Sequence, residues 1–228
     1  MCILSQTDSW QTTMTQPIMK SGFDGIFIAI SNPVDIIAHY IYKLSGLPKN
    51  QVIGTGTAID SARLQNMIAQ TVNVDPRSVH AYSMGEHGDS QMVPWSTVTI
   101  AGKPFYDVIA DNKELVGDVD LDELVYRTTQ EGWEIFNRKG TTYYGIATAC
   151  VGVIKAILND ENRIIPVSTL LEGEYGERDV YAGVPTVLNR SGAYDVLEIH
   201  MTLGELARFK ESTRVIREYT DRIMKLNL

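Results

Sequence analysis

The sequence predicts an α/β fold built in two different styles. Three observations predict it. Residues 26 to 72 read strand, helix, strand, helix. The first strand, Ile26 to Ile30, is almost wholly apolar, as a strand buried on both faces of a parallel sheet is. Later strands are grouped with helices without strict alternation, which is an α+β pattern. Residues 1–19 are polar, rich in Thr, Gln and Ser, and read as a poorly ordered leader or a short frayed helix near Met14 to Lys20. Asn32-Pro33 ends the first strand. Val34 to Leu44 repeats apolar residues at helical spacing and stops at Gly46. Val52 to Gly54 is a second short strand and Asp60 to Val72 a helix. His80 to Met84 and Thr97 to Ile100 are candidate strands. Leu121 to Asn137 is an amphipathic helix closed by Gly140, and Thr142 to Leu158 is apolar enough to predict a buried helix. Ile164 to Leu171, Val180 to Leu188 and Tyr194 to Ile199 read as strands, with Asn189-Arg190-Ser191-Gly192 turning between two of them. Thr202 and Glu205 form a capping box opening a last helix. Its apolar stripe is Leu203, Leu206, Phe209, Ile216, Tyr219 and Ile223.

Composition narrows the partners. The chain has 228 residues, 44% of them hydrophobic, and a net charge of −8 with no basic run, so it is a poor candidate for nucleic acid or an anionic membrane. No apolar stretch reaches the roughly 20 residues a bilayer requires. The start, Met1 to Gln6, lacks the regions of a secretory signal. Two cysteines, Cys2 and Cys150, make no disulfide framework, and a cytoplasmic location fits.

The chemistry concentrates in two segments. In Gly85-Glu86-His87-Gly88-Asp89-Ser90 a histidine sits in a Gly-flanked turn, where it can reach a ligand and titrate near neutrality. In Ile59-Asp60-Ser61-Ala62-Arg63 an acid and a guanidinium share a helix face. Taken alone, Asp60 and Arg63 are equally an exposed ion pair. Taken with His87, Asp60 can fix the ring's tautomer and raise its pKa, and Arg63 can fork onto a carboxylate. The three groups suit proton transfer on a carboxylate-bearing substrate. Gly54-Thr55-Gly56-Thr57-Ala58-Ile59 imitates a pyrophosphate-binding turn, but Ile59 stands where Gly or Ala is needed. The four histidines show no metal-ligand spacing, so no metal is expected. Ser90 lacks a nucleophile elbow.

Two further segments, Ser31-Asn32-Pro33-Val34-Asp35 and Gly140-Thr141-Thr142-Tyr143-Tyr144-Gly145, complete a set of four in fixed order. On these motifs the chain, from about Lys20 to its end, resembles the NAD-dependent L-lactate dehydrogenases of bacterial type. The resemblance implies NAD as cofactor, pyruvate and L-lactate as substrates, a homo-oligomer (a tetramer in the family) and a place in fermentative glycolysis. It implies His87 as general acid/base, Asp60 as its orienting partner and Arg63 on the substrate carboxylate. Asn32 would serve the nicotinamide and substrate pocket, Thr142 would contact substrate and Ile146 would pack on the nicotinamide ring. His80 matches half of the fructose 1,6-bisphosphate site of activated members. Its companion arginine is Gln65 here, so activation is expected to be weakened or lost. The resemblance also implies the division of the chain: an unmatched leader (1–19), the C-terminal remnant of a Rossmann-type parallel sheet (20–57) and a complete α+β substrate domain (58–228). Such a cofactor domain has six parallel strands, of which two are legible. The opening Gly-rich turn, the ribose-binding acid and the loop arginine find no counterpart, as in a truncated reading frame with doubtful activity. Malate dehydrogenases share the His, Asp and Arg, although the style of Gly85 to Ser90 with Gly140 to Gly145 favours lactate. A non-catalytic remnant acting through subunit association is the alternative of a different class.

Overall fold

The computed structural model describes residues 14–226, so the leader's first thirteen residues lie outside the described residues. A helix over 14–20 (α1) leads into β1 (Phe27–Ala29), which runs parallel to β2 (Val52–Gly54) in the register Phe27↔Val52. The crossover between them is α2 (Val34–Ser45). It buries Val34, Ile37 and Ile41 against the sheet and ends where Gly46, at φ 67°, returns its N–H to the Tyr42 carbonyl. The sequence expectations for these elements hold to within one or two residues.

Beyond β2 the sheet changes direction. β6 (Arg163–Glu172) and β7 (Arg178–Asn189) form a long hairpin, β8 (Gly192–Val196) adds to β7, and β6 lies antiparallel to β2 through the pair Gly54↔Ser168. One five-stranded sheet therefore runs β1-β2-β6-β7-β8, with β1 at an edge. That edge position is why β1 is only half-buried on Phe27 and Ile28, whereas β2 is wholly buried. The glycines of the fingerprint-like turn explain themselves here. A Cβ on Gly56 would lie 2.3 Å from the Ser168 backbone nitrogen, and its φ is +51°. The turn is glycine-rich because α3 (Ala58–Val72) starts hard against β6.

Helices cover both faces of the sheet. α2 packs on one side, and the last helix, α8 (Leu203–Leu226), packs Phe209 and Ile216 around Leu171, Val180 and Val184. α7 (Tyr143–Leu158) sets Val153, Ala156 and Ile157 against Ile53, Val167 and Leu188 on the other. A separate core fills the space between α3, α6 (Leu121–Lys139) and a small sheet of β3 (Val79–His80), β4 (Thr99–Ile100) and β5 (Lys103–Pro104), around Leu64, Ile68, Trp95, Phe105 and Leu124. Among the described residues, no helix is long and apolar enough to cross a membrane.

Five expectations need correction. α7 is not buried: Tyr144 is 68% exposed and Leu158 70%, because only one stripe of this apolar helix meets the sheet. The strand expected at His80 to Met84 is two residues long. Its chain then leaves the small sheet, and Met84 pairs instead with Met92 through reciprocal N–H to O=C bonds. The strands at Thr97 to Ile100 and Tyr194 to Ile199 are likewise shorter than expected, ending in a 3-10 turn and in irregular chain. In α8, Phe209, Ile216 and Ile223 are buried, but Leu203 is 88% exposed, since the helix start projects past the core. The capping box is present: Glu205 accepts the Thr202 N–H at 2.8 Å, and its own N–H donates to the Thr202 hydroxyl at 3.3 Å. Two helices had no sequence signal strong enough to find, α4 (Phe105–Asp111) and α5 (Lys113–Val116). α4 forms because Phe105 packs on Trp95 with centroids 5.7 Å apart.

Candidate active site

A cavity of about 550 Å³ opens where the carboxyl ends of β1 and β2 meet the starts of α2, α3 and α7. This is the region where open parallel sheets bind ligands. Asn32, Asp60, Arg63, His87, Thr142 and Ile146 all line it, so six of the seven residues singled out from sequence converge. His80 does not. It is exposed on β3, and Gln65, which stands at the position of the companion cation, donates its amide to the Ala81 carbonyl at 3.1 Å.

α3 brings Asp60 and Arg63 to the cavity from its first two turns. Asp60 is buried, and its two oxygens are divided between the two cationic partners. Oδ2 lies 2.5 Å from His87 Nδ1, and Oδ1 lies 3.4 Å from Arg63 Nη1. The Asp60 contact assigns the proton of the neutral ring to Nδ1 and leaves Nε2 as its acceptor. Burial works against a charged imidazole. The Asp60 hydrogen bond and charge, helped by the Asp35 charge, outweigh that and raise the His87 pKa. Arg63 is held from the far side by α6, whose backbone at Gly132 would place a Cβ 3.0 Å from Nη1. Its remaining donors have no carboxylate partner among the described residues.

Sequence reasoning missed three supporting residues. Asp35, buried on α2, accepts the His87 backbone N–H on Oδ2 at 2.9 Å. Burial pushes its carboxyl up to about 6, against the opposing effects of the nearby Ser168 hydroxyl and the His87 amide. Its Oδ1 and the Ser168 Oγ are both buried, and neither makes a hydrogen bond of good geometry. A signal existed in the sequence: Asp35 is a carboxylate in the otherwise apolar run Val34 to Ala38. Gln91 is the second. It accepts from the Ser83 hydroxyl at 2.5 Å and donates to Thr129 of α6 at 3.0 Å, linking the histidine loop to that helix. Ser212 of α8 is the third. It accepts the Glu86 N–H at 2.8 Å across 126 residues of chain, a contact with no local signal.

The arrangement holds a protonatable ring against a buried carboxylate, and a guanidinium a few ångströms away. Ile30, Ile59, Phe136 and Ile146 give the cavity an apolar lining, and Asn32 and Thr142 add an amide and a hydroxyl. A flat heteroaromatic ring with a polar edge suits that lining, beside a small anion on Arg63.

Comparison with known proteins gives the same direction. The profile of the lactate/malate dehydrogenase alpha/beta C-terminal domain matches residues 57–226, and that of the lactate/malate dehydrogenase NAD binding domain matches residues 8–54. L-lactate dehydrogenase 3 of Bacillus thuringiensis subsp. konkukian is 52% identical over 202 residues, which are 89% of this chain and 64% of that protein. L-lactate dehydrogenase 1 of Bifidobacterium longum subsp. longum is 47% identical over 207 residues, 91% of this chain and 66% of that protein. Among solved structures, the minor L-lactate dehydrogenase of Enterococcus mundtii in its ligands-bound form superposes with a TM-score of 0.90 at 40% identity, over 94% of this chain and 68% of that one. MGS-M5, a lactate dehydrogenase from a Medee basin deep-sea metagenome library, gives 0.91 at 40% identity, over 95% and 69%. The chain thus spans about 64% of the length of the Bacillus relatives it matches.

Proposed function

The chain belongs to the lactate/malate dehydrogenase family, and from that premise we propose that its cavity serves the NAD-linked interconversion of pyruvate and L-lactate. The observation that carries the proposal is the division of Asp60 between His87 at 2.5 Å and Arg63 at 3.4 Å, inside a cavity with an apolar lining. Bound NAD supplies the hydride acceptor or donor, and Ile146, Ile30 and Asn32 would hold its nicotinamide end. In oxidation His87 takes the hydroxyl proton on Nε2, and the Asp60 carboxylate stabilises the imidazolium so formed. In reduction the same ring returns the proton to the carbonyl oxygen. Arg63 orients the substrate by a two-point grip on its carboxylate. Thr142 adds a hydroxyl to that end of the cavity. The chain divides into a cofactor-domain segment through residue 57 and a substrate domain over 58–228, a reading supported by the two profile matches meeting at 54 and 57. A cytoplasmic homo-oligomer, tetrameric as in the family, completes the proposal.

The test uses the purified 228-residue chain from a host without lactate dehydrogenases of its own. NADH binding is followed by fluorescence, binding of the pyruvate analogue oxamate by calorimetry, and pyruvate reduction under saturating NADH. Binding of oxamate, weak binding of NADH and at most slow pyruvate-dependent oxidation of NADH, abolished by His87→Asn, are the expected result. Turnover unaffected by His87→Asn, or no binding of either ligand, would refute it. The second reading, a non-catalytic chain acting through subunit association, is favoured by the exposed apolar face of α7 and by the edge position of β1. Ligand binding without turnover, together with co-purification with an intact relative, would select it.

A further inference from the structure

Three consecutive backbone N–H groups around the histidine are each caught by a different element. The Gly85 N–H donates to the Gly183 carbonyl of β7 at 2.9 Å, the Glu86 N–H to Ser212 Oγ of α8 at 2.8 Å, and the His87 N–H to Asp35 Oδ2 of α2 at 2.9 Å. The middle acceptor is a single hydroxyl on a fully buried side chain of the last helix. Gly85 sits so close that a Cβ there would lie 2.3 Å from Ser212 Oγ, and its φ is +91°.

The donors around Ser212 can be assigned by counting protons. The Ser90 hydroxyl has one hydrogen and lies 2.5 Å from Glu86 Oε2, an acceptor only, so that hydrogen goes to the carboxylate. Ser90 Oγ and Ser212 Oγ are 3.1 Å apart, and Ser212 must then be the donor between them. The result is a closed ring. Ser212 donates to Ser90, Ser90 donates to the Glu86 carboxylate, and the Glu86 N–H donates back to Ser212. Each member polarises the next, so the ring is stiffer than its separate bonds.

We infer that Ser212 is a positioning residue for His87: its hydroxyl closes the ring that fixes the backbone on the imidazole's N-terminal side and so holds Nδ1 at 2.5 Å from Asp60 Oδ2. The inference rests on His87 being the proton-transfer group. A hydrogen bond that short depends steeply on placement. Without the Ser212 oxygen, the Glu86 N–H loses its acceptor and Ser90 its donor, and the segment between Gly85 and His87 relaxes away from α3.

The test reads the ring directly, without turnover. The chain has four histidines, so ring resonances are assignable by single substitution in NMR spectra of the full 228-residue protein. The charged groups acting on the His87 ring are Asp60 and Arg63 of α3 and Asp35 of α2, with Glu86 of its own loop acting on Asp35, and none is altered. In Ser212→Ala, and in the nearly isosteric Ser212→Cys, the proton affinity of the His87 ring is expected to fall about threefold or more as the Asp60 bond lengthens. The low-field proton on Nδ1 should move upfield with it. Thr220→Val is the control. It removes a buried hydroxyl of the same helix whose bond is to the Ile216 carbonyl, and it should lower the melting temperature without moving His87. An unchanged His87 midpoint and Nδ1 proton in a folded Ser212 variant would overturn the inference, as would an equal change in Thr220→Val. Failure of both Ser212 variants to fold would make the residue a determinant of the fold and would also overturn it. The proton-transfer reading fails separately, through His87→Asn in the turnover assay.

Discussion

Replacing His39 with phenylalanine should change how the protein responds to acid, by an amount that the fold sets. His39 lies on α2 with its side chain 5% exposed and its ring tilted against that of Tyr181, centroids 5.5 Å apart, and neither ring nitrogen has a hydrogen bond. Burial lowers its pKa from 6.5 to about 4, against the attraction of Asp179, whose Oδ1 is 3.6 Å from Nε2. Lys43, Arg217 and Asp221 also face the ring. A base whose pKa is depressed on folding contributes stability that is full above pH 6.5 and is lost as pH falls toward 4. At about 1.4 kcal/mol per pH unit, the loss is about 3 kcal/mol. Asp35, four residues earlier on the same helix, has the opposite sign. Its carboxyl rises from 3.8 to about 6, so its contribution is full below pH 3.8 and is lost as pH rises through 6. That loss is also about 3 kcal/mol. The two nearly cancel between pH 4 and 6, and wild-type stability should be flat there as far as these groups decide it. In His39→Phe only the Asp35 trend remains. Relative to wild type, the variant should gain about 3 kcal/mol between pH 7.5 and pH 4, whatever the new ring does to packing, because that offset is common to both pH values. Urea unfolding of both proteins across this range measures the difference. A wild-type-minus-variant gap constant within about 0.5 kcal/mol, the ordinary scatter of distant additive effects, would refute the assignment.

Other expectations follow from the same contacts. Asp60→Asn replaces a charge-assisted bond to His87 with a neutral one and should lower the ring's proton affinity by about tenfold or more, read by NMR titration. With it goes stability that is full below pH 6.5 and lost as pH rises through the raised His87 midpoint. Arg63→Lys should weaken oxamate binding by about tenfold or more in calorimetry, since an ammonium cannot offer two parallel donors, while NADH fluorescence stays unchanged. Unaltered oxamate affinity would remove Arg63 from the carboxylate. Phe209→Ala, at a fully buried position between α8 and the sheet, should cost about 3–5 kcal/mol in urea unfolding. Ile30→Lys, at the exposed end of the edge strand, should reduce aggregation seen by light scattering without loss of stability.

What was legible in the sequence was what local pattern or residue chemistry can encode. Helical spacing and Gly46 placed α2, and the Thr202–Glu205 box placed the start of α8. The i,i+3 spacing of Asp60 and Arg63 put both on one helix face toward His87, 27 residues on from Asp60. Residues supported from afar were not legible. Asp35 and Ser212 meet the histidine loop across 52 and 126 residues, and nothing in a local window carries that information. The apolar content of α7 counted side chains without saying what would face them, so a half-exposed helix read as a buried one. The segment from Ala81 to Met84 has strand-like composition, but its hydrogen bonds go to isolated partners outside the small sheet, which composition cannot foresee.

The junction near residue 57 has a mechanical consequence. Gly54 is paired with Ser168 across the sheet, Gly56 has no room for a methyl group, and Thr57 donates its hydroxyl to the Ser83 carbonyl at 2.6 Å. Hinge bending needs a few residues free to absorb changes in φ and ψ, and this stretch is clamped at each position. The two segments are therefore expected to move as one body. The same clamping extends to α6, which meets the site from outside the five-stranded sheet and is tied to the histidine loop through Gln91 and Thr129.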